Sequence, residues 1–216
     1  VMVGDEERAE EYNDFFYSTF DLVDEKVEDL APEDKPRVYY EFNVVSYGNY
    51  YKTGGSGSRA DEFIQRAGGV NIFADIDLDE FEPDPEAILD RDPEVVIIDA
   101  HTMQIYDLTD TSEMEELKEL IVNRPGWKPT PDEEGMTAVI NEDVYVLAHE
   151  TMISTHSPVG ICYLAKTLQY PFYPVLFSDL DPDAIKREYV ENFRPELEDF
   201  LLSYQVHHVY PCKWCS

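Results

Sequence analysis

The chain's 216 residues suffice for one domain, or one domain with an appendage, and its 43% of apolar residues allows a sizeable core. Its 47 acids against 16 bases leave a formal charge of −31, a surface that repels nucleic acid and anionic membranes. No apolar run approaches the roughly 18 residues a membrane-spanning helix needs, and residues 1–12 are charged almost from the start, unlike a secretory signal. The chain therefore reads as cytosolic or as the mature form of an exported protein. The acids are spread along its whole length, which suits a solvated surface (for solubility or high salt) better than a docking site for cationic partners.

The spacing of Phe15, Phe16, Thr19, Phe20, Val23, Val27 and Leu30 predicts one long helix over residues 5–30, about 39 Å at the standard rise, ended by the prolines at 32 and 36. Such a helix outruns a small sheet and reads as a connector to an upstream domain. The β-branched and aromatic run Arg37–Val45 predicts a strand, followed by the Tyr- and Gly-rich loop 46–57. A helix is expected from Ser58 to Ala67, stopped by Gly68-Gly69, then a short strand at Val70–Phe73. Asp84 is placed to cap a short helix at Pro85–Asp90. The unbroken apolar run Glu94–Asp99 suits a parallel strand covered on both faces. Helices follow at Glu113–Val122, Pro158–Leu168, Asp183–Asn192 and Pro195–Tyr204, with strands at Thr137–Ile140 and Val144–Leu147. Strands alternating with helices after residue 37 give an α/β fold, a mostly parallel sheet flanked by helices and preceded by the long N-terminal helix.

Ligands of open parallel sheets sit outside the carboxyl ends of the strands. Three loops qualify: 46–57, 99–106 and 149–157. In the first, glycines permit close backbone approach, and Tyr47, Tyr50 and Tyr51 offer flat amphipathic surface beside Ser56. Neither the dinucleotide nor the Walker glycine pattern is matched. His101, His149 and His156 fall in the other two loops, but no spacing fixes two of them on one helical face for a metal, so none is assigned. No nucleophile elbow or Cys–His signature appears. Cys162 reads as core. Cys212 and Cys215 form a Cys-x-x-Cys at the chain end without a second pair to complete a zinc site, which favours a disulfide or free thiols.

Four segments in register carry a family resemblance. Gly54–Ser58 with Asp61–Asp75 (including Ala67-Gly68-Gly69-Val70-Asn71-Ile72-Phe73), Pro85–Ile98, Arg124-Pro125-Gly126-Trp127 with Ala138–Leu147, and Tyr163–Lys166 with Pro174, Phe177 and Asp179 resemble the class III (TroA-like) periplasmic substrate-binding proteins of ABC importers for iron-siderophores, haem and cobalamin. Glu142-Asp143 replaces that family's usual glycine turn. The resemblance implies two α/β lobes joined by one long helix. Residues 1–36 would be the connecting helix and linker, 37–204 the C-terminal lobe and 205–216 a tail, with the N-terminal lobe absent. It implies no enzymatic activity and no cofactor, the ligand being an iron chelate, haem or a corrinoid. It implies an ABC permease as partner and an extracytoplasmic location, anchored in the full-length form. Glu86 matches the glutamate that docks on permease arginines, a carboxylate meeting guanidinium forks. Tyr47, Tyr50, Tyr51, Ser56, Tyr106 and His156 are the residues expected at the ligand. Direct transition-metal binding by His101, His149 or His156, and a flavodoxin- or Rossmann-like cofactor domain, are the alternatives.

Overall fold

A computed structural model describes residues 6–43, 51–100, 112–152, 154–169 and 176–194. The first helix, α1, spans Glu6–Glu28, and its buried residues Phe15, Thr19, Phe20, Val23 and Val27 form the stripe that the three- and four-residue spacing predicts. It stops where expected: the Leu30 amide still reaches the Val27 carbonyl, and Pro32–Asp34 turns as a 3₁₀ helix.

Four strands follow: β1 (Arg37–Asn43), β2 (Val70–Asn71), β3 (Val95–Ala100) and β4 (Val144–Ala148). They form one sheet in the order β2-β1-β3-β4, parallel throughout, with Tyr40 opposite Ile97 and Ile97 opposite Tyr145. All six residues of β3 are buried, as its unbroken apolar run requires of a strand covered on both faces. Each of its buried valines and isoleucines, Val95 to Ile98, contributes about 1.5–3 kcal/mol of burial.

The strand alternation sorts the core into two layers. On one face Tyr39, Val96, Ile98, Val144 and Val146 meet Ile88 of α3 (Pro85–Arg91), Leu117 and Ile121 of α4 (Ser112–Val122) and Trp127. On the other, Val38, Tyr40, Val95, Ile97, Tyr145 and Leu147 meet the second half of α1, α2 (Arg59–Arg66) and α6 (Ser157–Gln169). Arg66 of α2 forks Asp24 of α1 at 3.1 and 2.7 Å while lying 4.0 Å over the Phe20 ring, so one side chain fastens the two helices. The last described helix, α7 (Pro182–Phe193), packs on α1 and α6, with Tyr12 edge-on to Phe193 at 5.4 Å.

One element differs in type from its sequence reading. Thr137–Ile140 is a single helical turn, α5, rather than a strand. Asp92, in the left-handed region at φ 39°, aims its carboxylate at the Thr137 N–H (2.8 Å) and hydroxyl (2.7 Å), and the Ala138 amide donates to the Pro93 carbonyl. This capping from 45 residues away overrides the β preference of Thr, Val and Ile. The helix expected at 195–204, the proposed tail, Cys212 and Cys215 lie outside the described residues.

Candidate ligand site at the carboxyl ends of the strands

Two carboxylates interrupt otherwise apolar strands close to their carboxyl ends. Glu41 stands two positions before the end of β1 and Asp99 one before the end of β3. The pleat sends them to opposite faces, where each needs a partner because neither meets water: Glu41 is 0% and Asp99 1% exposed.

On the α3/α4 side the partner is Arg124, in the turn after α4. Its guanidinium grips Glu41 through two parallel bonds, 2.6 Å to Oε2 and 2.8 Å to Oε1, and the Tyr39 hydroxyl donates to Oε2 at 3.1 Å. Burial works against the charge on Arg124, but the bonds to Glu41, together with the Glu41 charge and the nearby Tyr39 and Tyr51 phenols, outweigh it and hold the guanidinium above its ordinary value. The Tyr51 ring lies 4.2 Å and the Trp127 ring 5.1 Å from its central carbon.

On the other face Asp99 accepts from the Tyr40 hydroxyl at 3.0 Å and lies 2.9 and 3.1 Å from Nδ1 of His149, the first residue after β4. Burial first, and then the Asp99 charge, push the Tyr40 phenol well above its usual value, which keeps it a neutral donor; nearby Arg59 works in the opposite direction. Arg59 opens α2, with its guanidinium 5.6 Å over the Phe42 ring at the end of β1. It is exposed and makes no ion pair among the described residues, whereas Arg124 is paired with Glu41 and Lys52 with Glu80.

Of the residues singled out from sequence, Tyr51 is half-buried on Arg124, with φ 68°. Ser56 is exposed, its amide bonded to the Ile76 carbonyl at 2.7 Å. His149 bonds to Asp99, while His156 sits edge-on to Tyr189 of α7 at 5.3 Å. Its neighbour Thr155 receives the Tyr189 hydroxyl on Oγ1 at 2.9 Å and the Tyr12 hydroxyl on its carbonyl at 3.1 Å, so the β4–α6 connection is tied to both α1 and α7. Glu86 is exposed in the first turn of α3, where Asp84 caps the helix as expected. Tyr47, Tyr50, Tyr106 and His101 lie outside the described residues.

Two glycines of the first loop, Gly54 and Gly55, serve the fold. A Cβ on Gly55 would fall 2.0 Å from the Ile76 carbonyl oxygen, and one on Gly54 would fall 2.3 Å from the Ser58 hydroxyl. Backbone runs against backbone here, with Thr53 and Phe81 exchanging both amide bonds and Gly55 donating to Leu78. Among the described residues no cluster of three His, Cys, Asp or Glu is arranged to hold a metal ion, and no helix is long and apolar enough to cross a membrane.

Sequence reasoning missed the Glu41–Arg124 pair, the Tyr40–Asp99–His149 chain and Arg59. A signal for the first two was present: a carboxylate within a buried-strand pattern demands a cation or donor from elsewhere.

Among solved structures, the chain is similar to the TroA-like periplasmic binding protein FepB of Veillonella parvula (27% identity, TM-score 0.74, 89% of this chain and 54% of that one). It is similar in fold to CeuE of Helicobacter pylori (18%, 0.64, 89% and 55%) and to a protein of an ABC-type Fe3+-hydroxamate transport system from Saccharomonospora viridis (23%, 0.56, 76% and 50%). It spans about half the length of each. No curated protein matches it. The family model described as periplasmic binding protein matches residues 1–151, which hold the long leading helix and all four strands of the parallel sheet, and members of that family are non-enzymatic solute binders. The chain belongs to the periplasmic binding protein family.

Proposed function

We propose that this chain is the connecting helix and C-terminal lobe of the extracytoplasmic substrate-binding component of an ABC importer, and that the ligand is an iron-siderophore or a related metal chelate. The observation that carries the reading is the composition of the carboxyl end of the sheet: the half-buried Tyr51 ring on one face and, on the other, exposed Arg59 over the Phe42 ring, a cation that makes no ion pair among the described residues. A bulky chelate with anionic oxygen donors matches that pairing of flat apolar contact and guanidinium. The similarity to FepB and to the hydroxamate-system protein supports the same class. Tyr47, Tyr50, Tyr51, Ser56, Tyr106 and His156 are proposed to face the ligand, and we add Arg59. No catalytic cofactor is needed. The partners are an ABC permease, which exposed Glu86 would meet through arginines, and an N-terminal lobe supplying the opposite wall of the cleft. Family membership supports the extracytoplasmic location, and membrane anchoring of the full-length form belongs to the same proposal.

Titrating the two-lobed protein with ferric desferrioxamine B, ferric enterobactin, haem and cobalamin, read by tryptophan quenching and calorimetry, tests the reading. Micromolar or tighter binding of one ferric chelate is expected, weakened at least tenfold in R59A; failure of all four ligands would overturn the assignment.

A second reading, direct transition-metal binding, has one observation in its favour. A carboxylate on Nδ1, as Asp99 is on His149, is the usual orienting partner of a metal-ligating imidazole. Stoichiometric zinc or manganese, lost in H149A, would establish it over the chelate.

A further inference from the structure

We propose that Glu41 and Arg124 are positioning residues: the buried pair holds the Tyr51 ring, and with it the return of the first loop, at the ligand end of the sheet. Tyr51 has a backbone conformation that a bulky L-residue adopts only when its surroundings impose it, at φ 68°. The contact that imposes it is the Arg124 guanidinium, 4.2 Å from the ring. That guanidinium is itself fixed in plane and in rotation by the two bonds to Glu41, and Glu41 by the Tyr39 hydroxyl and by its place on β1, an inner strand of the sheet. Immediately after Tyr51 the chain is sewn back onto β1, with the Phe42 amide donating to the Lys52 carbonyl at 2.8 Å and the Thr53 hydroxyl to the Tyr40 carbonyl at 2.6 Å. The ring thus stands at the point where the first loop rejoins the sheet.

Arginine suits this task and lysine does not. A planar fork offers a flat surface to an aromatic ring while its edge is occupied by a carboxylate, whereas an ammonium offers neither the plane nor the two parallel donors. A pair that served stability alone would need no aromatic ring in a left-handed backbone conformation laid upon it. The consequence for binding rests on the proposal that Tyr51 contacts the ligand; the positioning itself does not.

The test is hydrogen exchange, read by mass spectrometry on the full chain without ligand. In E41M/R124M, where apolar side chains replace the whole pair and no lone charge is left buried, amides of residues 51–57 are expected to exchange at least tenfold faster, with residues 95–100 and the melting temperature little changed. R124K is expected to fall between that variant and the wild type. Unchanged exchange at 51–57 in folded E41M/R124M would overturn the proposal. Should that variant not fold, Y51A leaves the pair intact and removes only the stacked ring: tenfold faster exchange over 52–57 supports the proposal, and unchanged exchange overturns it. Ligand affinity separates the two readings. If Y51A shows the faster exchange but binds a ferric chelate as the wild type does, the positioning stands and the ligand contact of Tyr51 fails.

Discussion

At the carboxyl end of the sheet, the α3/α4 face is closed by two full charges, Glu41 and Arg124, in a bidentate pair with a tyrosine hydroxyl alongside. The opposite face is closed by Tyr40, Asp99 and His149, in which one carboxylate is shared between a phenol and an imidazole. Both solve the same problem, a carboxylate brought by strand alternation into a buried layer, but they fail differently. A charge pair is all-or-none, because removing one partner strands the other charge in a medium that cannot solvate it. A shared carboxylate degrades in steps, because its phenol partner is neutral and loses a single hydrogen bond. The contrast also assigns tasks. The rigid pair suits holding a neighbouring ring in place, and the second chain, ending on the mostly buried His149 at the start of the β4–α6 connection, lies on the side of the sheet that also carries Arg59.

The largest effect expected from breaking the contrast is in E41A, which strands Arg124. It should lose about 3–5 kcal/mol in urea denaturation, while E41M/R124M stays within about 1 kcal/mol of the wild type. Equal losses in the two variants would remove the all-or-none character claimed for the pair.

On the other face D99A should cost less, about 1–3 kcal/mol, from a buried Tyr40 hydroxyl left without its acceptor. Y40F/D99A should recover part of that loss. A cost for D99A matching that of E41A would erase the distinction between the faces.

High pH should make the two faces behave alike. Tyr39 and Tyr40 are both fully buried, and burial first, then the adjacent carboxylate, raises each phenol well above 10. Unfolding lets them ionise near pH 10, so the folded state binds more protons above that pH. Stability is intact below about pH 10 and falls as pH rises beyond it, by about 1.4 kcal/mol per pH unit for each tyrosine. Y39F and Y40F should each remove one such increment from the slope of unfolding free energy against pH. A change in only one of them would show that the faces differ there too.

The smallest effect is expected where the loop from one network reaches the other. Ser58 caps α2, accepting from the Asp61 amide at 3.2 Å, and S58A should lower stability by about 1 kcal/mol. The Gly57 amide keeps its own bond to the Asp61 carboxylate, so a larger loss would mean that the cap also orders the Tyr51 side of the loop.

Periodicity and local chemistry made most of the architecture legible. The stripe on α1, the unbroken run of β3 and the Asp84 cap each follow from a few adjacent residues, and each stands where the sequence put it. Thr137–Ile140 did not, since its conformation is decided by Asp92, whose position relative to Thr137 no local pattern encodes. The site divides in the same way. The strand-end loops could be located from topology alone, whereas Glu41 and Arg124 are 83 positions apart and Asp99 and His149 are 50 apart. Only the bare fact of a carboxylate in an apolar strand pointed toward them. The glycines of the first loop were visible, but their purpose was not: Gly55 makes room for the carbonyl of Ile76 on a neighbouring segment rather than for a ligand.

That close backbone contact also matters to anyone wishing to turn the protein into a sensor. Positions 54 and 55 admit no side chain, which pins the backbone that carries Ser56, and Ser56 points into solvent. A dye attached through S56C would sit on a rigid mount beside the strand ends instead of swinging on a tether. The buried Cys162, its thiol pushed up to about 12 by burial, would stay inert to the maleimide, so that replacing Cys212 and Cys215 leaves a single reactive handle.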